Sequence, residues 1–291
     1  DMPRSHDRHG YVSGQPHWWQ WPTVLSLDAP LVAIAWQSGL ARAAQVTLRG
    51  HHLFILGAGV WLAYAADRWL EGWRLDPTQI RTQRHWFYQR WRWPVAILWM
   101  LVLAGALALA GGRLQPAEWG AGLLVLAPVL AYLLSHQLIH RAHPWRAPKE
   151  ICVALLFGAG AACFPLAGRW DLLPVIAVPL ILFTLLCFAN CALISLWEDE
   201  VDRAHGQTSL ALQFPQGRLF VRALPWLIAG VGGFASWQAP ASGTAVLACA
   251  ATSGAMLGGV DLAHRRLGRQ LARILADVAL LTPLVTHWLG Q

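Results

Sequence analysis

Apolar stretches long enough to cross a bilayer recur along this chain, at about 27–47, 50–67, 94–111, 117–135, 150–168, 172–197, 219–238, 241–260 and 271–290. A bilayer core is about 30 Å thick, so roughly 20 apolar helical residues cross it, and the backbone there must satisfy its own hydrogen bonds. The pattern predicts an all-α polytopic membrane protein of nine helices, with a polar N-terminal segment over 1–26 and a single transmembrane domain over 27–291. Gln37, Arg42 and Gln45 interrupt the first stretch. With 56% hydrophobic and 13% charged residues, the composition excludes disorder and argues against a soluble globule. Many of the 18 Trp sit at segment ends, among them Trp18, Trp19, Trp91, Trp93, Trp119 and Trp170, where amphipathic rings favour the headgroup zone. The first 25 residues carry no apolar run of the signal-peptide kind.

Charge bias orients the predicted bundle. The connectors near 68–93, 136–149, 198–218 and 261–270, with their flanks, hold sixteen Arg and Lys residues; the other face holds Arg42, Arg49, Arg113 and Arg169. Basic residues concentrate on the cytoplasmic side of membrane proteins, so the long connectors and the N-terminus are expected there, in a cell (inner) membrane. The net charge of +7 is read as topology control and contact with anionic membrane lipids, not as a nucleic-acid surface.

Two acidic clusters lie on that face, Asp67-Arg68-Trp69-Leu70-Glu71 after the second segment and Glu198-Asp199-Glu200-Val201-Asp202 after the sixth. Asp67 and Glu71 are four residues apart and share a face if the helix continues; Glu198 and Asp202 repeat the spacing. Oxygen ligands so arranged suit Mg²⁺, which takes one or two carboxylates together with substrate phosphate oxygens. Arg68 and Lys149 are placed to neutralise further phosphate charge. Such an assembly, above an apolar cavity, would ionise an isoprenyl diphosphate by stabilising the leaving group. The plainer alternative is that these carboxylates are solvated loop charges paired with neighbouring arginines.

At these residues the sequence resembles the UbiA superfamily of intramembrane prenyltransferases. The resemblance runs from about residue 27 onward. It rests on Tyr64-Ala65-Ala66-Asp67-Arg68-Trp69-Leu70-Glu71, on Lys149-Glu150, and on the stretch from Glu198 to Ser209. It implies Mg²⁺ held by Asp67, Glu71, Glu198 and Asp202, with Asp67, Arg68, Lys149 and Asp202 in catalytic roles. The expected partners are a prenyl diphosphate and a hydrophobic or aromatic acceptor. Asn190, about two turns before the second cluster, is expected to face the central cavity, with Tyr64 and Asp277 as further substrate-binding residues. Ala63 and Tyr64 stand where the family usually has Asn and Asp, and Glu replaces Asp at 71 and 198. A second reading follows from those departures: a UbiA-like fold with reduced chemistry, serving as a structural or pigment- or lipid-binding subunit of a larger membrane complex.

Other residues were weighed beside these. Asp277 lies inside the last apolar segment, where a carboxylate faces the bundle interior, either paired with Arg273 or lining the cavity. His136 and His140, four residues apart, have the spacing for haem or a metal ion, but interfacial solvation is the simpler reading. His51 and His52 are adjacent and point to different helix faces. The five Cys fall within apolar segments without a Cys-x-x-Cys and read as small buried hydrophobes.

Overall fold

The computed structural model describes residues 16–74, 83–135, 148–199 and 209–289, with side chains described outside 71–74, 83–85 and 286–289. In chain order its main helices are α1 (Asp28–Ala43), α2 (Gly50–Arg74), α3 (Gln83–Arg90), α4 (Arg92–Arg113), α5 (Pro116–Leu134), α6 (Lys149–Cys163), α7 (Leu173–Trp197), α8 (Arg218–Gln238), α9 (Ala241–Leu267), α10 (Arg269–Ala279) and α11 (Thr282–Leu289). Among the described residues there is no strand.

Each predicted apolar segment is helical, but the nine are not alike. Among the described residues, six helices are long and apolar enough to cross a membrane: α2, α4, α5, α7, α8 and α9 with their short extensions. The first segment is shorter and forms a broken pair, Trp18–Val24 and Asp28–Ala43 meeting at 74°. At 15 residues, α6 rises only about 22 Å at 1.5 Å per residue. The last segment is split between α10 and α11. Nine continuous crossings were expected because apolar length is visible in sequence, whereas a bend or break that packing tolerates is not.

A core of small residues holds α8 and α9 together. A Cβ added at Gly254 of α9 would lie 2.6 Å from the carbonyl oxygen of Pro225, and one at Gly232 of α8 would lie 2.9 Å from the backbone nitrogen of Ala251. Only glycine permits this backbone approach, the small-residue device by which membrane helices gain van der Waals contact. Around the pair, α1, α6, α7 and α10 bury Trp36, Leu40, Phe183, Leu186 and Ile176. Trp36 stacks on Phe183 at 4.6 Å and donates its indole N–H to the Leu280 carbonyl at 2.8 Å.

By contrast, α4 and α5 are thinly packed. Only 11% of the α4 span and none of the α5 span is buried within the protein, so their apolar side chains are left either to the slot they border, as at Leu103 and Leu126, or to the outer surface, as at Ile97 and Leu98. Other Trp, within the helices, tie segments together. Trp61 donates to the Leu25 carbonyl, Trp99 to the Leu62 carbonyl and Trp197 to the Asp261 carboxylate, at 3.0, 2.9 and 2.9 Å. The described part of the N-terminal segment also packs onto the bundle: Gln20 donates to the Gln270 amide oxygen at 2.8 Å, and Trp21 meets Phe87 edge-on.

Candidate functional site

Tyr64, Asp67 and Arg68 occupy successive turns of α2 and share one face. That face lines a cavity of about 440 Å³ enclosed by α2, α4, α5 and α6. Its lining runs along α2 from Ile55 to Arg68 and along α6 from Lys149 to Phe164, about 20 Å at the helical rise. Most of the wall is aliphatic or aromatic. Asp67, Arg68, Lys149 and Arg273 gather at the end carrying the acidic clusters. The site is therefore a long apolar slot with a charged mouth, shaped for a molecule with an apolar tail and a polar head.

Arg68 reaches the slot but is held from the side. It is buried, donates to the Thr23 carbonyl at 2.9 Å and to the Ser26 hydroxyl, and lies over the Tyr64 ring with 5.4 Å to the centroid. Ser26 has a positive φ of 59°, and its hydroxyl shares a 3.0 Å hydrogen bond with Tyr88 of α3. Arg68 thus pins the bend between Trp18–Val24 and α1. This partnership was not legible in sequence, because the acceptors belong to a turn 42 to 45 residues away.

The second cluster is held differently. One terminal nitrogen of Arg273 in α10 donates to both carboxylate oxygens of Glu198, at 2.9 and 2.8 Å. Both side chains are largely buried, at 19% and 17% exposure. Asp199 meets Arg218 at 3.5 Å nearer the surface. Asp202 lies outside the described residues, and so does the side chain of Glu71. Thus Asp67 and Glu198 are the two described members of the expected metal set, and Glu198 already has a cation on it. Of these two, Asp67 lines the slot, while both oxygens of Glu198 accept from Arg273.

Beside the slot, Tyr64, Arg68, Val153, Phe157 and Arg273 also border a smaller chamber of about 90 Å³. Asn190 of α7, expected on the central cavity, lines this side chamber instead of the slot and donates its amide N–H to Asp277 at 2.9 Å. Asp28 of α1 lines the same chamber. Of the two readings of Asp277 left open by the sequence, the structure places it on the wall of this chamber, held by Asn190. Asp28, at the start of α1, was missed; it reads as a helix-start residue in sequence.

Lys149 begins α6 at the charged mouth. Its neighbour Glu150 turns inward, almost fully buried, and accepts the Leu210 N–H at 3.1 Å. His136, His140 and His143 lie outside the described residues. At the opposite end of the bundle, His51, His52 and Glu118 have ligand atoms within 4.8 Å of one another. The protons there are already assigned: His52 accepts the Arg49 N–H at Nδ1 (3.1 Å) and meets Glu118 at Nε2 (2.9 Å). A metal at Nε2 would leave the ring without a proton, so the trio reads as a hydrogen-bonded clamp between α2 and α5. None of the five Cys forms a disulfide, and Cys187 and Cys249 are buried.

The fold and site define an integral membrane helical bundle built around a lipid-shaped slot. No protein-family model matches the sequence, and no curated protein matches it. In structure the chain is similar to a UbiA homolog from Aeropyrum pernix K1, solved in its apo form. The match has a TM-score of 0.57 at 15% identity, covering 91% of this chain and 98% of that one. The chain therefore has the UbiA fold.

Proposed function

We propose that this protein is a membrane-embedded prenyltransferase-like enzyme that takes a prenyl diphosphate and a hydrophobic or aromatic acceptor. The observation that carries this reading is the slot itself, apolar over about 20 Å of helix and charged only at the mouth lined by Asp67, Arg68, Lys149 and Arg273. The isoprenyl tail lies along α2 and α6, with the diphosphate at the mouth. Lys149 and Arg273 offset the charge that develops on the departing diphosphate. Departure leaves an allylic cation beside the π faces of Tyr64 and Phe157, whose rings meet edge-on at 5.9 Å. The acceptor captures that cation from the side of the small chamber. The charged mouth faces the cytoplasm, in keeping with the charge bias of the connectors.

Magnesium, which the resemblance implies, has Asp67 as its described candidate ligand, and no step here is routed through it. The test is diphosphate release by the purified protein in lipid nanodiscs, across prenyl diphosphates of increasing chain length. Release lost in Asp67→Ala supports an enzyme. Absence of release with every chain length, with stoichiometric co-purification of other membrane subunits, supports instead the reading as a non-catalytic subunit.

A further inference from the structure

We propose that the clamp of His52 and Glu118 is the floor of the slot, and that it restricts the tail to farnesyl or geranylgeranyl length; this rests on the prenyl diphosphate reading above. On three helices the lining of the slot stops at this clamp. On α2 it begins at Ile55, one turn after His52, and on α5 it begins at Trp119, the residue after Glu118. On α6 it reaches Phe164, whose ring stacks on the His52 imidazole at 4.9 Å. Leu114, in the turn between α4 and α5, completes it. Walls that end at one group of side chains share a closed end there.

The members of this floor hold one another in place. His52 is buried and accepts the Arg49 N–H at Nδ1, so the ring proton is on Nε2 and points at Glu118, 2.9 Å away. The other oxygen of Glu118 accepts the Gln115 N–H at 2.8 Å, which caps the start of α5. The turn after α6 packs on the same helix start: Gly168 has a φ of 67°, and a Cβ there would lie 3.2 Å from that of Ala117. A carboxylate that caps a helix and fixes an imidazole leaves neither side chain free to swing aside. A tail that outgrew the slot would have to break these hydrogen bonds within a packed end of the bundle.

The distance from floor to mouth sets the length. The wall runs about 20 Å along α2 and α6. An isoprene unit adds four chain bonds and about 4.6 Å at the advance per bond of an extended chain, so three to four units span roughly 14–18 Å. The rest of the wall belongs to Asp67 and Arg68 at the mouth, where the head group lies. Phe164 and Trp119 meet the end of the tail, and His52 acts through Phe164 as a positioning residue.

Native mass spectrometry of the full chain ejected from lipid nanodiscs tests this, after loading with an equimolar mixture of farnesol, geranylgeraniol, geranylfarnesol and solanesol. Prenols carry the tail without the diphosphate, so they report on the slot alone. The wild type should retain farnesol or geranylgeraniol at least about tenfold over the two longer prenols, an effect of the size expected from overfilling a packed site. Phe164→Ala removes a ring about the size of one isoprene unit, and should raise the retained share of geranylfarnesol about tenfold. His52→Ala keeps that ring but leaves it unsupported, and should shift the preference the same way, which a general loss of stability does not do. Retention that is equal across the four prenols, grows with length or is absent overturns the proposal, as does an unchanged profile in both variants. If Phe164→Ala does not fold, Trp119→Ala is read in its place, and if no variant folds the wild-type profile decides. The corresponding prenyl diphosphates separate the two readings: a length limit among prenols with no diphosphate retained supports the floor and removes the enzyme reading.

Discussion

The two acidic clusters look alike in sequence and have opposite fates in the fold. At the end of α2 the basic residue beside the carboxylate is tied from the side: Arg68 donates to the Thr23 carbonyl and the Ser26 hydroxyl, while it and Asp67 both line the slot. At the end of α7 the carboxylate itself is taken, as Glu198 meets Arg273 from α10. One cluster therefore contributes an anchor and the other an ion pair. A motif of charged residues specifies which chemistry is available, and the helices packed around it select which group is used.

Substitutions can break or sharpen that contrast. The largest effect is expected from Arg68→Met, which leaves the bend before α1 without its donors; thermal or denaturant unfolding should show a loss of about 3 kcal/mol. A loss below about 1 kcal/mol would show that Arg68 is not an anchor. Next, Asp67→Asn should slow diphosphate release about thirtyfold, or about 2 kcal/mol of transition-state stabilisation, measured under single-turnover conditions. Glu198→Gln keeps the shape but leaves Arg273 on a neutral partner, and should cost about 1–2 kcal/mol of stability. If Glu198→Gln were neutral while Arg68→Met remained severe, the two clusters would differ more than the geometry implies.

Smaller effects test the scaffolds on which each cluster rests. Trp36→Phe keeps the stack on Phe183 but removes the hydrogen bond to Leu280, and should cost about 1 kcal/mol in unfolding. Tyr88→Phe removes only the hydroxyl that meets Ser26, and should cost about 0.5–1 kcal/mol. A double substitution with Arg68→Met then measures the coupling: an added cost well below that of Tyr88→Phe alone shows that the two residues hold one turn together.

Much of the fold was legible because its signals are local. The apolar runs located every long helix of the bundle but not α3, which lies in the stretch read as a connector, and Gln37, Arg42 and Gln45 marked the segment that proved short and bent. The break between α10 and α11 was read as one apolar helix, although Pro283, which cannot donate a backbone N–H within a helix, stands at the second residue of α11. The site was legible in its residue types. Tyr64, Asp67, Lys149, Asn190 and Asp277 all line the slot or the chamber beside it. Asp28 and the pairing of Arg273 with Glu198 were not, since no spacing relates residues that meet across different helices.

The sequence by itself determined that this chain lives in a bilayer as a helical bundle, and which end carries its charge. Hydrophobic length and charge placement are properties of single segments, read against a solvent of fixed thickness. Only the tertiary structure decided that Arg68 is an anchor, that Arg273 sits on Glu198 from 75 residues away, and that a slot and a chamber meet between them. Those outcomes follow from close approach at Gly232 and Gly254 and from the bend before α1. These features set where helices cross, and so which buried charges come within reach of one another.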